Sequence, residues 1–229
     1  MSGTTGACPR SRAALRGLPA LWLGRTRHAA QARAPLSFSV SGIWTNKVAI
    51  SNGPGANLGT YVGTVRSDGS SQINWQVGAV ASGGTAAILG VWNAYNRAEV
   101  KGFVGDSTSS WAYTASVWHP ARSQTGVRAS FLQGLQEDSF EGCYDGGGSC
   151  AGGSGYVGVG YNSVTAFAGM AGFVGGNAAL MARGFHSTQQ LGFGFMQALE
   201  VNVGANATFY GNNGASSTMQ TDLSYRGRF

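Results

Sequence analysis

The stretch GTYVGTVRSDGSSQINWQV, residues 59–77, decides the fold class of this chain. At its end, apolar and polar residues alternate, and the apolar set consists of Ile73, Trp75 and Val77. Successive side chains of a β-strand point to opposite faces, so this period of two predicts a half-buried strand. Before it, Asp68-Gly69 separates two such runs, and glycine accepts the positive φ of a tight hairpin turn. The stretch therefore predicts two β-strands joined by a turn.

The period of two recurs along the rest of the chain. It is found at residues 111–117, 127–131, 157–161 and 199–203, and no segment shows a sustained helical period. Many short strands separated by turn residues are typical of sandwiches and barrels. We therefore expect an all-β fold, namely an antiparallel, jelly-roll-like β-sandwich that forms oligomers.

Glycine is unusually frequent in this chain, and charge is unusually rare. Of 229 residues 38 are glycine, nineteen of them within residues 142–214, and only 10% are charged. An average globular protein has about 25% charged residues. Within strands, glycine permits bends, bulges and close approach of backbones. A surface with so few charges suits a subunit that buries much of it against other proteins.

The net basic charge of the chain comes from the first 35 residues. This segment contains no acidic residue and six arginines: Arg10, Arg12, Arg16, Arg25, Arg27 and Arg33. Residues 36–229 contain nine basic and nine acidic residues, so their net charge is zero. We expect a basic Ala/Arg/Pro-rich arm at residues 1–35 and a glycine-rich β-sandwich domain at residues 36–229. Because no basic cluster marks the domain, no nucleic-acid partner is expected, and no apolar run is long enough to predict a membrane span.

Motifs of catalysis are missing from the sequence. No P-loop, metalloprotease or serine-hydrolase pattern occurs, and the histidines are far apart, at His28, His119 and His186. We therefore expect no enzyme activity, no catalytic residue, no cofactor and no metal site. Cys143 and Cys150 flank a flexible loop, where they can form a disulfide or remain free thiols on neighbouring strands.

Three acidic residues are spaced for one face of a strand: Glu137, Glu141 and Asp145. Paired carboxylates can hydrolyse a glycosidic bond, which is one interpretation of this cluster. Residues four apart on a strand are about 13 Å apart, whereas glycosidase carboxylates are about 5–9.5 Å apart. The spacing favours the other interpretation, a solvated edge or a calcium contact.

Four motifs follow one another in the middle of the chain. They are YVGT at residues 61–64, WNAYNR at 92–97, SWAYT at 110–114 and GLQED at 134–138. In this order they resemble a family of virion structural proteins of tailed bacteriophages, which are tail-fibre-like or lie on the particle surface. The resemblance covers about residues 58–140, is looser in the glycine-rich C-terminal part and does not include residues 1–35.

The resemblance implies a structural protein on the surface of the virion, at the head or the tail. Such a protein is a fibre, a spike or a capsid decoration subunit that contributes to particle architecture and host attachment. We expect it to associate with itself, as a homotrimer, to bind other virion proteins through residues 1–35 and to contact a host surface glycan. A polysaccharide-degrading enzyme of the particle and a non-viral secreted β-adhesin or lectin are the alternatives.

The resemblance also marks one binding or structural motif, which comprises Trp92, Asn93, Tyr95, Asn96 and Arg97. The two aromatic side chains are suited to packing at a turn, and the asparagines to hydrogen bonds with the backbone of a bend. For the arginine we expect either hydrogen bonds to backbone carbonyls or an acidic partner such as Glu99 or Asp138.

Overall fold

The computed structural model describes residues 20–26, 36–38, 43–204, 206–212 and 221–229. Of the predicted basic arm, only residues 20–26 are described, as a strand, and the expected domain boundary near Pro35 lies outside the described residues. The described strands are β1 (Ala20–Thr26), β2 (Leu36–Phe38), β3 (Trp44–Asn46), β4 (Gly59–Arg66), β5 (Trp75–Gln76), β6 (Val80–Ala81), β7 (Ala87–Leu89), β8 (Val91–Asn93), β9 (Glu99–Asp106), β10 (Ser110–Tyr113), β11 (His119–Pro120), β12 (Arg128–Gln133), β13 (Phe140–Tyr161), β14 (Ala168–Thr188), β15 (Gly192–Val203), β16 (Ala207–Tyr210) and β17 (Asp222–Arg228).

The chain divides into two compact units, and residues 62–229 belong to the second. In the first unit, β2 and β3 pair in antiparallel fashion, and Thr45 of β3 lies opposite Thr60 of β4. The buried side chain of Asn46 organises the loop that follows β3. Its Nδ2 atom donates 2.7 Å to the carbonyl oxygen of Gly55, and its Oδ1 atom accepts from the backbone N–H of Gly59. One asparagine thus supplies the hydrogen bonds that the loop backbone needs.

The second unit is built around the long strand β13. One edge of β13 pairs with β14, and the other edge pairs in succession with β17, β16 and β15, all antiparallel. Beyond β17 the sheet continues to β9 and β6, and beyond β15 it continues to β12, β7 and β5. The pairings of β6 with β9 and of β7 with β12 are parallel, so the sheet is mixed rather than purely antiparallel.

The β13–β14 ribbon folds over itself and produces two layers. The bend follows Gly148, where the pairing register shifts twice and Gly152 adopts a φ of +77°. An ideal Cβ on Gly184 would lie 2.5 Å from the Cα atom of Gly158, so glycine lets the two halves approach closely. The first layer contains β6, β9, β17 and the adjoining halves of the ribbon; the second contains the other halves, β15, β12, β7 and β5.

The core lies between these layers. Phe131 of the second layer stacks on Phe140 of the first, with ring centroids 3.8 Å apart and an interplanar angle of 12°. Val104, Val157 and Leu223 are fully buried around them. The prediction of an all-β, sandwich-like fold is therefore confirmed, and the clustered glycines are explained by the close approach of the layers.

The turn after β4 differs from the expected hairpin. Ser67 forms an isolated bridge with Ile73, but the strand that follows, β5, pairs with β7. The residue with positive φ is Ser71, at +62°, and not Gly69. The reason is the side chain of Asp68, whose Oδ1 atom accepts hydrogen bonds from the backbone N–H groups of Ser70 and Gln72 and thereby holds a wider turn.

The possible disulfide between Cys143 and Cys150 is not formed. The two residues lie on the same strand, β13, seven residues apart. At roughly 3.3 Å per residue their separation is about 23 Å. A disulfide needs Cα atoms within about 7 Å, so the expected loop between neighbouring strands is replaced by one continuous strand.

Candidate binding surface

Two of the motifs that carry the resemblance meet in the interior. The indole Nε1 atom of Trp92 donates a 3.0 Å hydrogen bond to Asp138 Oδ2, and the Arg97 guanidinium donates at 2.7 Å to Oδ1. Asp138 is 2% exposed, and Trp92 is 1% exposed. A Cβ on Gly134 would lie 2.2 Å from the Trp92 ring, so only glycine fits beneath the indole. The motifs at 92–97 and 134–138 therefore build one packed cluster.

The remaining motif residues lie at a surface bend. The Oδ1 atom of Asn93 accepts hydrogen bonds from the backbone N–H groups of Tyr95, at 2.9 Å, and Asn96, at 3.1 Å. All three residues are exposed. Of the two acids expected to pair with the arginine, Asp138 takes this place, whereas Glu99 pairs with Lys101 at 2.7 Å.

The acidic cluster is divided between a turn and a strand. Glu137 precedes β13 and is 68% exposed. Glu141 and Asp145 share one face of β13, and each faces an arginine directly across the sheet. Arg226 of β17 lies 2.7 Å from Glu141, and Arg183 of β14 binds Asp145 with two hydrogen bonds, of 2.6 and 3.0 Å. These pairs connect neighbouring strands.

The most perturbed carboxyl group, Glu200, was missed by sequence reasoning. It lies fully buried on β15, where Trp111 Nε1 and the Tyr144 hydroxyl each donate to it at 2.7 Å. Burial raises the pKa of Glu200 to about 7, and the hydrogen bonds lower it only in part. The alternation of Leu199 and Val201 predicts that Glu200 faces solvent, but β15 lies inside the sheet and is covered on both faces. No solvent reaches this carboxyl, so it contributes to the core.

The first layer presents an open face, which we call the outer face. It consists of alternate residues of β9, β17, β13 and β14, paired in register across the sheet. Its middle row runs from Phe103 through Ser224 and Cys143 to Phe185. The two phenylalanines are 54% and 38% exposed, respectively, and the small residues between them form a shallow floor.

A depression of about 680 Å³ lies at the β9 end of the outer face. Its lining is mostly apolar, with two valines and one phenylalanine that are exposed, and it contains three polar side chains. The lining residues are Val77, Gly78, Ala79, Val80, Lys101, Gly102, Phe103, Asp222 and Ser224. Gly102 is required there, because a Cβ would lie within 3 Å of the Tyr225 ring beneath it.

Asp222 is the polar group of the depression whose charge is not balanced by a neighbour. It lies opposite Asp145, which already binds Arg183. Burial, and then the charge of Asp145, raise the pKa of Asp222. Across the described part of the chain, no hydrogen bond or ion pair reaches its carboxylate. A ligand that donates hydrogen bonds can satisfy this group.

Metal-binding clusters, membrane-spanning helices and similarity to known proteins are three further indications of function. The described ranges contain no group of three or more His, Cys, Asp or Glu residues placed to hold a metal ion. They also contain no helix with the length and apolarity needed to cross a bilayer. Comparison of the sequence with models of protein families and with curated proteins gave no match.

Proposed function

We propose that this protein is a structural subunit at the surface of a tailed-bacteriophage particle, a fibre, spike or decoration protein that associates with copies of itself and contacts the host. The order of its motifs supports this proposal, as does the packed cluster of Trp92, Arg97 and Asp138. Such a cluster stabilises a scaffold and leaves the surface for contacts with partners.

The observation that carries the proposal is an apolar strip formed by Trp75 of the edge strand β5 and by Ile73, which lies just before that strand. Ile73 and Trp75 are 51% and 45% exposed, although their alternation is that of a half-buried strand. Within the described residues, β5 is the outermost strand of the second layer and pairs only with β7. Burying such a side chain contributes roughly 1.5–3 kcal/mol. An exposed apolar edge on a charge-poor chain supports association with a second copy.

The experiment is a measurement of molecular mass by light scattering after gel filtration. We expect the wild-type protein to form a trimer and the double variant Ile73→Ser/Trp75→Ser to be monomeric, because the variant removes the apolar strip. Leu191→Ser, at an exposed leucine outside the strip, is the matched control and should keep the wild-type mass. A wild-type monomer would contradict self-association.

Electron cryomicroscopy of intact particles tests the location of the protein. Density for this fold on the head or tail surface is the expected result, and its absence would refute the proposal. Deletion of residues 1–19 is expected to leave a folded oligomer that no longer joins particles. This deletion preserves β1, which a deletion of all 35 residues would remove.

One observation favours the alternative of a polysaccharide-degrading enzyme. Asp145 and Asp222 are direct partners across two strands, so their carboxyl groups are close enough for glycosidase chemistry, which uses separations of about 5–9.5 Å. The bidentate contact of Asp145 with Arg183 opposes this role, because it occupies the carboxylate. Release of reducing ends from a polysaccharide by the wild type, and not by Asp222→Asn, would establish the enzyme.

A further inference from the structure

We propose that the depression at the β9 end of the outer face binds a neutral saccharide unit, with Phe103 as its stacking surface and Asp222 as its hydrogen-bond acceptor. This inference rests on the proposed host contact and deepens it, since it names the class of ligand and the residues that bind it.

The size and shape of the depression suit one or two sugar rings of a longer chain. Its volume of about 680 Å³ lies within the range of roughly 300–1,000 Å³ that is usual for small-ligand sites. It is open to solvent along the outer face, so a polymer can enter it without threading an end. Cys143 and Ser224, both small, continue its floor towards β14.

The chemistry of the lining matches a ring with an apolar face and a hydroxyl rim. Phe103 and Val80 offer exposed apolar surface on one side. Asp222 lies beside them with acceptor oxygens that the described residues leave unsatisfied. A carboxylate can accept hydrogen bonds from two adjacent hydroxyl groups, and such bonds are about twice as strong as those between neutral groups.

The charges around the depression favour a neutral ligand over a charged one. Lys101 pairs with Glu99, and the acids of β13 pair with arginines across the sheet. One carboxylate, that of Asp222, remains unbalanced on this part of the outer face. A site for a basic peptide would need several unbalanced acids, and a site for an anionic glycan would need unbalanced basic residues. The raised pKa of Asp222 agrees with a desolvated group that gains from hydroxyl donors.

The test uses an array of neutral hexose and N-acetylhexosamine oligosaccharides, with sialylated and sulfated oligosaccharides beside them, followed by titration calorimetry of the strongest hit. We expect a neutral oligosaccharide to bind. Phe103→Ala and Asp222→Asn should each weaken its binding about ten-fold or more. Phe167→Ala, at an exposed phenylalanine outside the outer face, is the matched control and should bind like the wild type.

Both test variants are expected to fold. Phe103 is half exposed, and Asp222→Asn removes the repulsion from Asp145. Absence of binding to any neutral oligosaccharide, or binding of charged ones alone, would overturn the inference. A change in oligomeric mass of Phe103→Ala would also overturn it, because the depression would then be a contact between copies. A variant that loses saccharide binding but keeps the wild-type oligomeric mass and its location in the particle tests this inference without affecting the proposed function.

Discussion

The hydroxyl group of Tyr144 donates a 2.7 Å hydrogen bond to Oε1 of Glu200 and connects the two layers of the sandwich. Tyr144 belongs to the half of β13 that lies in the first layer, and Glu200 belongs to β15 in the second. Both side chains are buried. The carboxyl group therefore loses its hydration in the folded state, and its pKa rises to about 7.

Stability should consequently fall as the pH rises through this range. Between the ordinary pKa of 4.5 and about 7, the folded protein keeps a proton on Glu200 that the unfolded chain releases. The free energy of unfolding therefore decreases over this window, by about 3 kcal/mol in total, and becomes constant above it. Urea unfolding at about pH 5 and about pH 8 measures the change.

Glu200→Gln provides the comparison for this prediction. The amide oxygen can accept from the Trp111 indole, and the amide nitrogen can donate to the Tyr144 hydroxyl, so the packing is retained. Other groups titrate in the same range, and the difference between variant and wild type isolates Glu200. A variant with the same pH dependence as the wild type would show that Glu200 titrates normally.

Asp138→Ala should destabilise the protein by about 3 kcal/mol, because it leaves the buried indole donor of Trp92 and the guanidinium of Arg97 without their acceptor. Glu137→Ala is the control. That acid is 68% exposed and lies 3.8 Å from the same arginine, so its loss should change stability by less than about 0.5 kcal/mol. Equal effects of the two substitutions in chemical denaturation would argue against the packed cluster.

Gly184→Ala should cost roughly 1–3 kcal/mol or more, because the new Cβ would lie 2.5 Å from the backbone of Gly158 and force the layers apart. Gly69→Ala should instead be neutral or stabilise by up to about 1 kcal/mol, since its Cβ meets no atom within 4 Å and its φ is not left-handed. Thermal unfolding of the two variants measures this contrast, which a sandwich with loosely spaced layers would not produce.

Cys143 and Cys150 should differ in reactivity. Burial, followed by the charge of Asp145, raises the pKa of the half-buried Cys143 thiol, and Cys150 is 1% exposed. The chain has a third cysteine, Cys8, which the experiment removes by Cys8→Ser. In that background, we expect a maleimide to label Cys143 slowly near neutral pH and Cys150 only after unfolding. Peptide mass spectrometry gives the readout, and an intact mass lower by two hydrogens would reveal a disulfide instead.

Local alternation predicted that strands form but not how far their faces are covered. The runs around Phe131 and Val157 are buried strands, as expected, because each places its apolar residues on the core face. The exposed apolar strip at Ile73 and Trp75 has the same local pattern. A pattern specifies which side chains share a face, but not whether another element covers that face. That outcome depends on the order of the strands in the sheet.

The candidate site could not be predicted, because distant segments form it. Val80, Phe103 and Asp222 meet only after β9 pairs with β6 and β17. In the motif at residues 92–97, by contrast, neighbouring residues are sufficient to form the bend. Asn93 forms its bend with adjacent residues, so the pattern was sufficient to predict its side-chain hydrogen bonds to the backbone, whereas Asn96 contributes its backbone N–H and not its side chain.

The pairing of β9 with β17 also has a consequence for the order of folding. Glu99 pairs with Arg228, 129 residues later in the chain. A ribosome adds about 5–20 residues per second. During synthesis β9 is therefore complete before β17 has been made, and until then its edge and the face that carries Val104 remain exposed. Such distant contacts slow folding. The depression therefore forms only when translation has passed β17, and a nascent chain shorter than this lacks the candidate site.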